Sequence, residues 1–342
     1  METLQDFNEE IKKNPSNAEA YRLRGVYYRN NGDYEKAIID FNKTLQIDPD
    51  NVKAYIGLGR TYLFQSDYDN AIKAFTYVLQ IDPNEADAFS LRGYAYLFGK
   101  GNIDQCIADN TKAIQINPKF VDAYATRGTA YSFRKDYDLA IADYSQAIAI
   151  NPNDYLSYVE RGDNYKSKGD NNSAMLDYNM ALKIEPNCYN ALVSRAWLYF
   201  NSNELDHSIE DFNRAESINP NYEPVYSGRS LVYKKKGDYD KAIADYSQMI
   251  RLAPNNSNAY QSRGYLYERK GNFDQAIIDL SKSIQLDPEP SSLVYSNRGM
   301  VYIKLGDYEN AIADFKESIR LDSNNANVKQ WLEDAIKARD GV

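Results

Sequence analysis

Side chains able to do chemistry are few in this chain, and most stand alone. His207 is the single histidine among 342 residues, with no cysteine or second histidine near it in sequence. A zinc site takes three or four nitrogen, sulfur or carboxylate ligands, so its surroundings favour a solvated or packed imidazole. Cys106 and Cys188 are the two cysteines, far apart in the chain, so disulfides do not hold it together. Gly57-Leu58-Gly59 opens like a dinucleotide fingerprint but lies within a helical pattern, not after a strand. Gly99-Lys100-Gly101 lacks the spacing of a phosphate loop, and Asp67-Tyr68-Asp69 lacks the glycine and closing glutamate of a calcium loop. Lys234-Lys235-Lys236 is suited either to an acidic partner or nucleic acid, or to solubility and a helix dipole. No catalytic residue, metal site or cofactor is expected, and the chain reads as a non-enzyme.

One pattern of charge is regular. Arg24, Arg92, Arg127, Arg161, Arg195, Arg229, Arg263 and Arg298 recur in step with Asp40, Asp109, Asp143, Asp177, Asp211, Asp245, Asp279 and Asp314. One stretch lacks both and carries Leu58 and Ala74 instead. Joint loss predicts that arginine and aspartate of the same stretch pair, because losing one alone would strand a buried charge at a cost of roughly 3 to 5 kcal/mol. The alternative is a ladder of arginines open to a ligand. Asp6 has no arginine of its own and either pairs with Arg24 or faces water.

The elements that carry these residues are short amphipathic helices. From Ala259 to Pro288, Tyr260, Arg263, Gly264 and Tyr267 fall on one helical face; after Gly271-Asn272, Phe273, Ala276, Ile277, Leu280 and Ile284 fall on a second. A glycine within a helix costs roughly 1 kcal/mol relative to alanine, so Gly264 predicts close packing of the two helices. The stretch recurs. Tyr28, Tyr62, Tyr96, Tyr131, Tyr165, Tyr199, Tyr233, Tyr267 and Tyr302 mark successive copies at gaps of 34 residues, twice 35. Gly25, Gly59, Gly93, Gly128 and Gly162 keep a small slot in the first helix; Ala37, Ala71, Cys106, Ala140 and Ala174 keep one in the second. Phe41, Phe75, Tyr144, Tyr178, Phe212, Tyr246 and Phe315 share an aromatic slot, from which Asn110 and Leu280 depart.

With these slots the chain resembles the tetratricopeptide repeat family. The resemblance implies an all-α fold, a right-handed α-solenoid superhelix of helix-turn-helix repeats that touch only their neighbours. Nine repeats are expected over 18–325 (18–51, 52–85, 86–120, 121–154, 155–188, 189–222, 223–256, 257–291 and 292–325). Residues 1–17 form a half-repeat helix with Phe7 in the aromatic slot, and 326–342 a capping helix and tail with Val328, Trp331, Leu332, Ala335 and Ile336 on its apolar face. The two extra residues fall between the helices of the third repeat, near Phe98-Gly99-Lys100-Gly101, and in the connection 287–292.

A net charge of −9 argues against general affinity for phosphate backbones, so no nucleic-acid partner is expected. No apolar run approaches the roughly 20 residues of a membrane span, and METLQDFNEEIKK has no signal-like apolar stretch, which makes a cytoplasmic location the default. Function is then expected at the surface of the stack. The resemblance places first helices on the inner, concave face, where the positions free of packing are Ile56, Arg60, Leu63, Phe64, Tyr94, Leu97, Phe98, Thr129, Phe133, Val193, Trp197 and Phe200. Of these, Phe64, Tyr94, Phe98, Phe133, Trp197 and Phe200 are the candidate partner-binding residues, for a protein or peptide and in particular an amphipathic helix. Packing of these side chains against successive repeats is the alternative. Two roles stay open: an interaction scaffold, or a regulatory or substrate-recruiting subunit of an enzyme on another chain. Self-association also stays open. The family's clamp for acidic EEVD-type chaperone tails needs lysines, asparagines and an arginine where this chain has Arg22, Val26, Gly57, Asp87 and Leu91, so such tails are not expected to bind.

Overall fold

The computed structural model describes residues 3–341, which form twenty helices and no strand. They fall into two compact bodies, 1–186 and 187–342. The first opens with α1 (Leu4–Lys13) and continues as pairs: α2 (Ala18–Asn30) with α3 (Tyr34–Ile47), α4 (Val52–Phe64) with α5 (Tyr68–Ile81), α6 (Ala86–Lys100) with α7 (Ile103–Ile116), α8 (Val121–Phe133) with α9 (Tyr137–Ile150), and α10 (Tyr155–Ser167) with α11 (Asn171–Ile184). The second pairs α12 (Tyr189–Asn201) with α13 (Leu205–Ile218), α14 (Glu223–Lys236) with α15 (Tyr239–Leu252), α16 (Ser257–Arg269) with α17 (Phe273–Leu286), and α18 (Ser292–Leu305) with α19 (Tyr308–Leu321), and closes with α20 (Ala326–Asp340). The chain is an all-α repeat solenoid. Among the described residues no helix is long and apolar enough to cross a membrane.

Helix ends follow from local chemistry. Asn17, Asn51 and Asn256 cap α2, α4 and α16 by accepting the backbone N–H three residues on, at 3.1, 2.9 and 3.1 Å. Each first helix ends by using the carbonyl of its marker tyrosine: the N–H of Asp136 reaches Tyr131 O at 2.9 Å, and that of Asp170 reaches Tyr165 O at 2.9 Å. The residue before that donor adopts a left-handed conformation. Glycine supplies it at Gly32 and Gly169, whereas Ser66, Lys135 and Asn203 adopt it at φ 59°, 66° and 63°.

The third repeat's extra residue sits inside this last turn, and not in a lengthened connection between the helices. Tyr96 O is reached by Asn102 N at 3.0 Å, six residues on where other repeats use five, and α6 runs on to Lys100 with Gly101 left-handed at φ 61°. The extension fits because Gly99 lies against the start of α5; a Cβ there would fall 2.2 Å from Tyr68 Cβ. The second extra residue is in the connection 287–291, five residues between α17 and α18 where α3 and α4 are joined by four.

The core of each pair is the aromatic slot. Phe41, Phe75, Tyr144, Tyr178, Phe212 and Phe315 are fully enclosed, and the small slot of the first helix faces the ring: a Cβ on Gly59 would fall 2.5 Å from the Phe75 ring. Gly57 accommodates the Phe41 ring of the repeat before it at the same 2.5 Å. The exposed end of α2 and α3 is covered by α1 through buried Phe7, and that of α18 and α19 by α20, where Val328, Ala335, Trp331, Leu332 and Ile336 pack with Ala311, Ile312 and Phe315.

Candidate interaction face

The recurrent charges are committed to the scaffold. Arg127 donates from Nε and Nη2 to the two carboxylate oxygens of Asp143, both at 2.8 Å, so α8 is forked onto α9 of its own repeat. The same forked contact joins Arg24 to Asp40, Arg92 to Asp109, Arg161 to Asp177, Arg195 to Asp211, Arg229 to Asp245, Arg263 to Asp279 and Arg298 to Asp314. Hydrogen bonding to Asp143 holds the Arg127 guanidinium above its ordinary value. Arg127 Nη1 donates backwards to Thr111 Oγ1 of the preceding repeat at 2.9 Å, and Arg161 and Arg263 do the same to Ser145 and Ser247. These three clamps therefore each tie three helices, and the paired arginines are not a ladder open to a ligand. The sequence repeats a polar residue after the aromatic slot, a hydroxyl at Thr76, Thr111, Ser145, Ser247 and Ser281, but spacing alone does not show that it receives the next repeat's arginine. In the second repeat Leu58 and Ala74 are buried and replace both partners at once. Asp6 does not meet Arg24; it accepts Thr3 N–H at 2.7 Å in a capping box, and Arg24 reaches Asn8 Oδ1 at 2.6 Å instead.

Other side chains capable of chemistry are likewise satisfied. His207 is exposed, with Nδ1 3.2 Å from Glu204 Oε2. Cys106 is buried, and desolvation pushes its thiol up to about 12. Asn110 fills the aromatic slot of its repeat fully buried, accepting from Ser90 Oγ and donating to Cys106 O, each at 2.9 Å. The three lysines at the end of α14 part ways: Lys236 pairs with Asp206, Lys235 lies 4.9 Å from the Phe200 ring centroid, and Lys234 lies 5.1 Å from that of Tyr265.

What remains is the face of the first helices. In the N-terminal body α2, α4, α6, α8 and α10 touch in succession, which sets them on the inner side of the stack. Phe64, Tyr94, Phe98 and Phe133 are 64%, 40%, 44% and 57% exposed on it. Three of them form a row: the Tyr94 and Phe98 rings are 4.5 Å apart, and Phe98 meets Phe133 edge-on at 6.1 Å. Phe64 stacks on Tyr34 at 5.8 Å and joins the row through a pocket of about 340 Å³ that it lines with Tyr94, Leu63, Leu91, Arg29, Asn30 and Arg60.

Trp197 and Phe200 lie in the C-terminal body and are only half-exposed. Trp197 meets Phe200 edge-on at 5.7 Å and the enclosed Phe212 at 6.1 Å, so part of its surface belongs to the core. Leu97 and Val193, expected to be free, are buried. Leu97 packs with Cys106 and with Ala130 of the next repeat's first helix, a contact no single-repeat template contains.

Fold and face together define a class: an all-α solenoid of helix pairs whose recurrent arginine–aspartate pairs are spent internally and whose first helices leave side chains exposed on the inner face. The chain belongs to the tetratricopeptide repeat family. Profiles described as Tetratricopeptide repeat match residues 18–51, 52–85, 121–154 and 292–325, and also 155–188, 189–222 and 257–290; one described as TPR repeat matches 231–271. No curated protein matches the sequence. Among solved structures, a tetratricopeptide repeat protein from Parabacteroides merdae is similar at 22% identity and TM-score 0.51, over 73% of this chain and 98% of its own. The APC/C hetero-tetramer Cut9-Hcn1 is similar at 14% identity and TM-score 0.52, over 97% of this chain and 81% of its own. MamA shares 30% identity over 47% of this chain and 94% of its own, at TM-score 0.44. Family membership supports a protein-interaction scaffold as the general role.

Proposed function

We propose that the chain binds a peptide or partner helix along the first-helix face of its N-terminal body, on Phe64, Tyr94, Phe98 and Phe133, with Trp197 and Phe200 forming a second contact area in the C-terminal body. The observation that supports this most is the exposed aromatic row. The slot between the paired helices is already filled, by enclosed Tyr144 in the repeat of Phe133 and by enclosed Asn110 in that of Phe98, so these two exposed rings lie outside the core of their helix pairs. Leaving such rings in water forgoes roughly 1.5 to 3 kcal/mol each, and interfaces concentrate binding energy in a few aromatic anchors. An amphipathic helix presenting large apolar residues one turn apart suits a row of this kind.

The test is capture of endogenous partners on the intact chain, compared with F98A/F133A. The double variant is expected to keep the unfolding midpoint close to wild type and to lose the captured partners by more than about tenfold, the equivalent of about 1.4 kcal/mol. Retention of every partner by the folded variant sinks the proposal. Consistent recovery of one catalytic protein through the same rings would favour the enzyme-recruiting role over a general scaffold. The face is also unsuited to an EEVD-type tail, since Arg22 is held by Glu19 at 2.5 Å and Asp87 adds a carboxylate where such a tail needs a cation.

A further inference from the structure

The pocket at the start of the aromatic row carries two guanidinium groups, Arg29 from α2 and Arg60 from α4, on walls formed by Leu63, Phe64, Leu91 and Tyr94. Among the described residues one carboxylate bonds to them directly, and Asp122 acts on Arg60 only at longer range. Asp87, in the first turn of α6, accepts Arg60 Nη2 with both oxygens at 2.9 and 2.7 Å. Among the described residues Arg29 reaches only the side-chain carbonyl of its neighbour Asn30, at 3.4 and 3.2 Å. It is half-buried, and burial together with Arg60 pulls its pKa below the ordinary arginine value. Arg60 keeps a buried Nε–H with no acceptor. The chain elsewhere gives each half-buried arginine of the repeat clamp its own carboxylate, so a cation left over beside an apolar wall stands apart, the more so at a net charge of −9.

We propose that this pocket receives one acidic side chain of the peptide partner: an aspartate or glutamate carboxylate on Arg29, with a large apolar residue beside it on Phe64 and Tyr94. The inference rests on the peptide-binding reading above and adds the chemistry of one position. A charge-assisted contact to arginine is among the stronger polar contacts, and the low-dielectric wall of Leu63, Leu91 and Phe64 strengthens it further. A run of acids does not fit. Beyond the pocket lies Asp87, and then Asp122, whose carboxyl is pushed up by its burial and by the like charges of Asp87 and Asp154. The acidic residue therefore belongs at the Arg29 end of the bound segment, with uncharged or apolar residues continuing over Phe98 and Phe133.

The test selects dodecapeptides from a random display library on the full chain and then measures the best binders as synthetic peptides with amidated C-termini. Selected sequences are expected to hold an aspartate or glutamate within two positions of a large apolar residue. Changing that acid to its amide should weaken binding by about tenfold or more, and R29Q should erase the preference for acid over amide without moving the unfolding midpoint. Binders that depend on Phe98 yet are indifferent to acid or amide overturn the carboxylate and leave the groove standing. A requirement for a free C-terminal carboxylate, or binding of an EEVD-ending peptide, overturns the side-chain assignment. Peptides insensitive to both F98A and R29Q, or no selected binders at all, overturn both readings.

Discussion

A forked arginine–aspartate pair at half-buried positions matters less for its net attraction than for what happens when it is halved. Arg127 and Asp143 are each other's principal ionic partner, with Asp143 nearly enclosed, so R127A or D143A leaves a charge with no counterpart in a low-dielectric setting. Each single variant is expected to destabilise by roughly 3 to 5 kcal/mol, read as a fall in the urea midpoint. The second repeat shows the neutral solution, Leu58 with Ala74. R127L combined with D143A should accordingly recover most of the loss; a double variant as unstable as the sum of the singles would mean that the pair is not coupled. Joint absence of both charges in one repeat made this pairing readable from the chain. The backward bond to Thr111 was not readable, because it depends on how far one repeat rotates against the next.

At the scale of the element, the altered end of α6 separates two kinds of glycine. Gly99 has helical neighbours and no room, whereas Gly101 has open space and a left-handed backbone. G99A must push the end of α6 away from Tyr68 of α5, an overpacking cost of about 1 to 3 kcal/mol, and it should also change the fluorescence or proteolytic lability of that turn. G101A is expected to cost only the conformational penalty, about 1 to 2 kcal/mol, with the α5–α6 contact intact. Equal effects on the contact would place the extra residue elsewhere. Residue counting located the insertion to within a few positions of Gly99 but put it between the helices, because a count carries no information on whether a loop or a helix lengthens. That choice was made by the packing of Gly99 on Tyr68.

For the whole molecule, ionic strength distinguishes two classes of ion pair. Between successive repeats run exposed pairs such as Lys100 with Asp69 at 2.5 Å and Arg134 with Asp104 at 3.4 Å, while the arginine–aspartate clamps are largely sheltered. Raising NaCl from about 0.1 to about 1 M shortens the screening length from roughly 10 to 3 Å. Exposed pairs are worth at most about 1 kcal/mol each, and screening also relieves self-repulsion at a net charge of −9. The thermal midpoint is therefore expected to shift by only a few degrees in either direction. A collapse of stability at high salt would show that the edge pairs, and not the clamps and aromatic slots, hold the repeats together.

Repeat period, helix pairing and the enclosed aromatics were determined by the chain alone, because each depends on contacts within about 34 residues that recur often enough to expose their own rule. The candidate face was legible only in part. Phe64, Tyr94, Phe98 and Phe133 could be found by subtracting the residues a helix pair needs, but the same subtraction kept Leu97 and Val193, which neighbouring elements bury, and took no account of the share of Trp197 that rests on Phe212. The shortage of a carboxylate for Arg29 was likewise invisible in one dimension: Arg60 meets Asp87 across 27 positions and a repeat boundary. Tertiary structure decided these points because the angle between successive repeats sets which first-helix residues the next repeat covers, and that angle comes from the summed packing of many side chains and from no single motif.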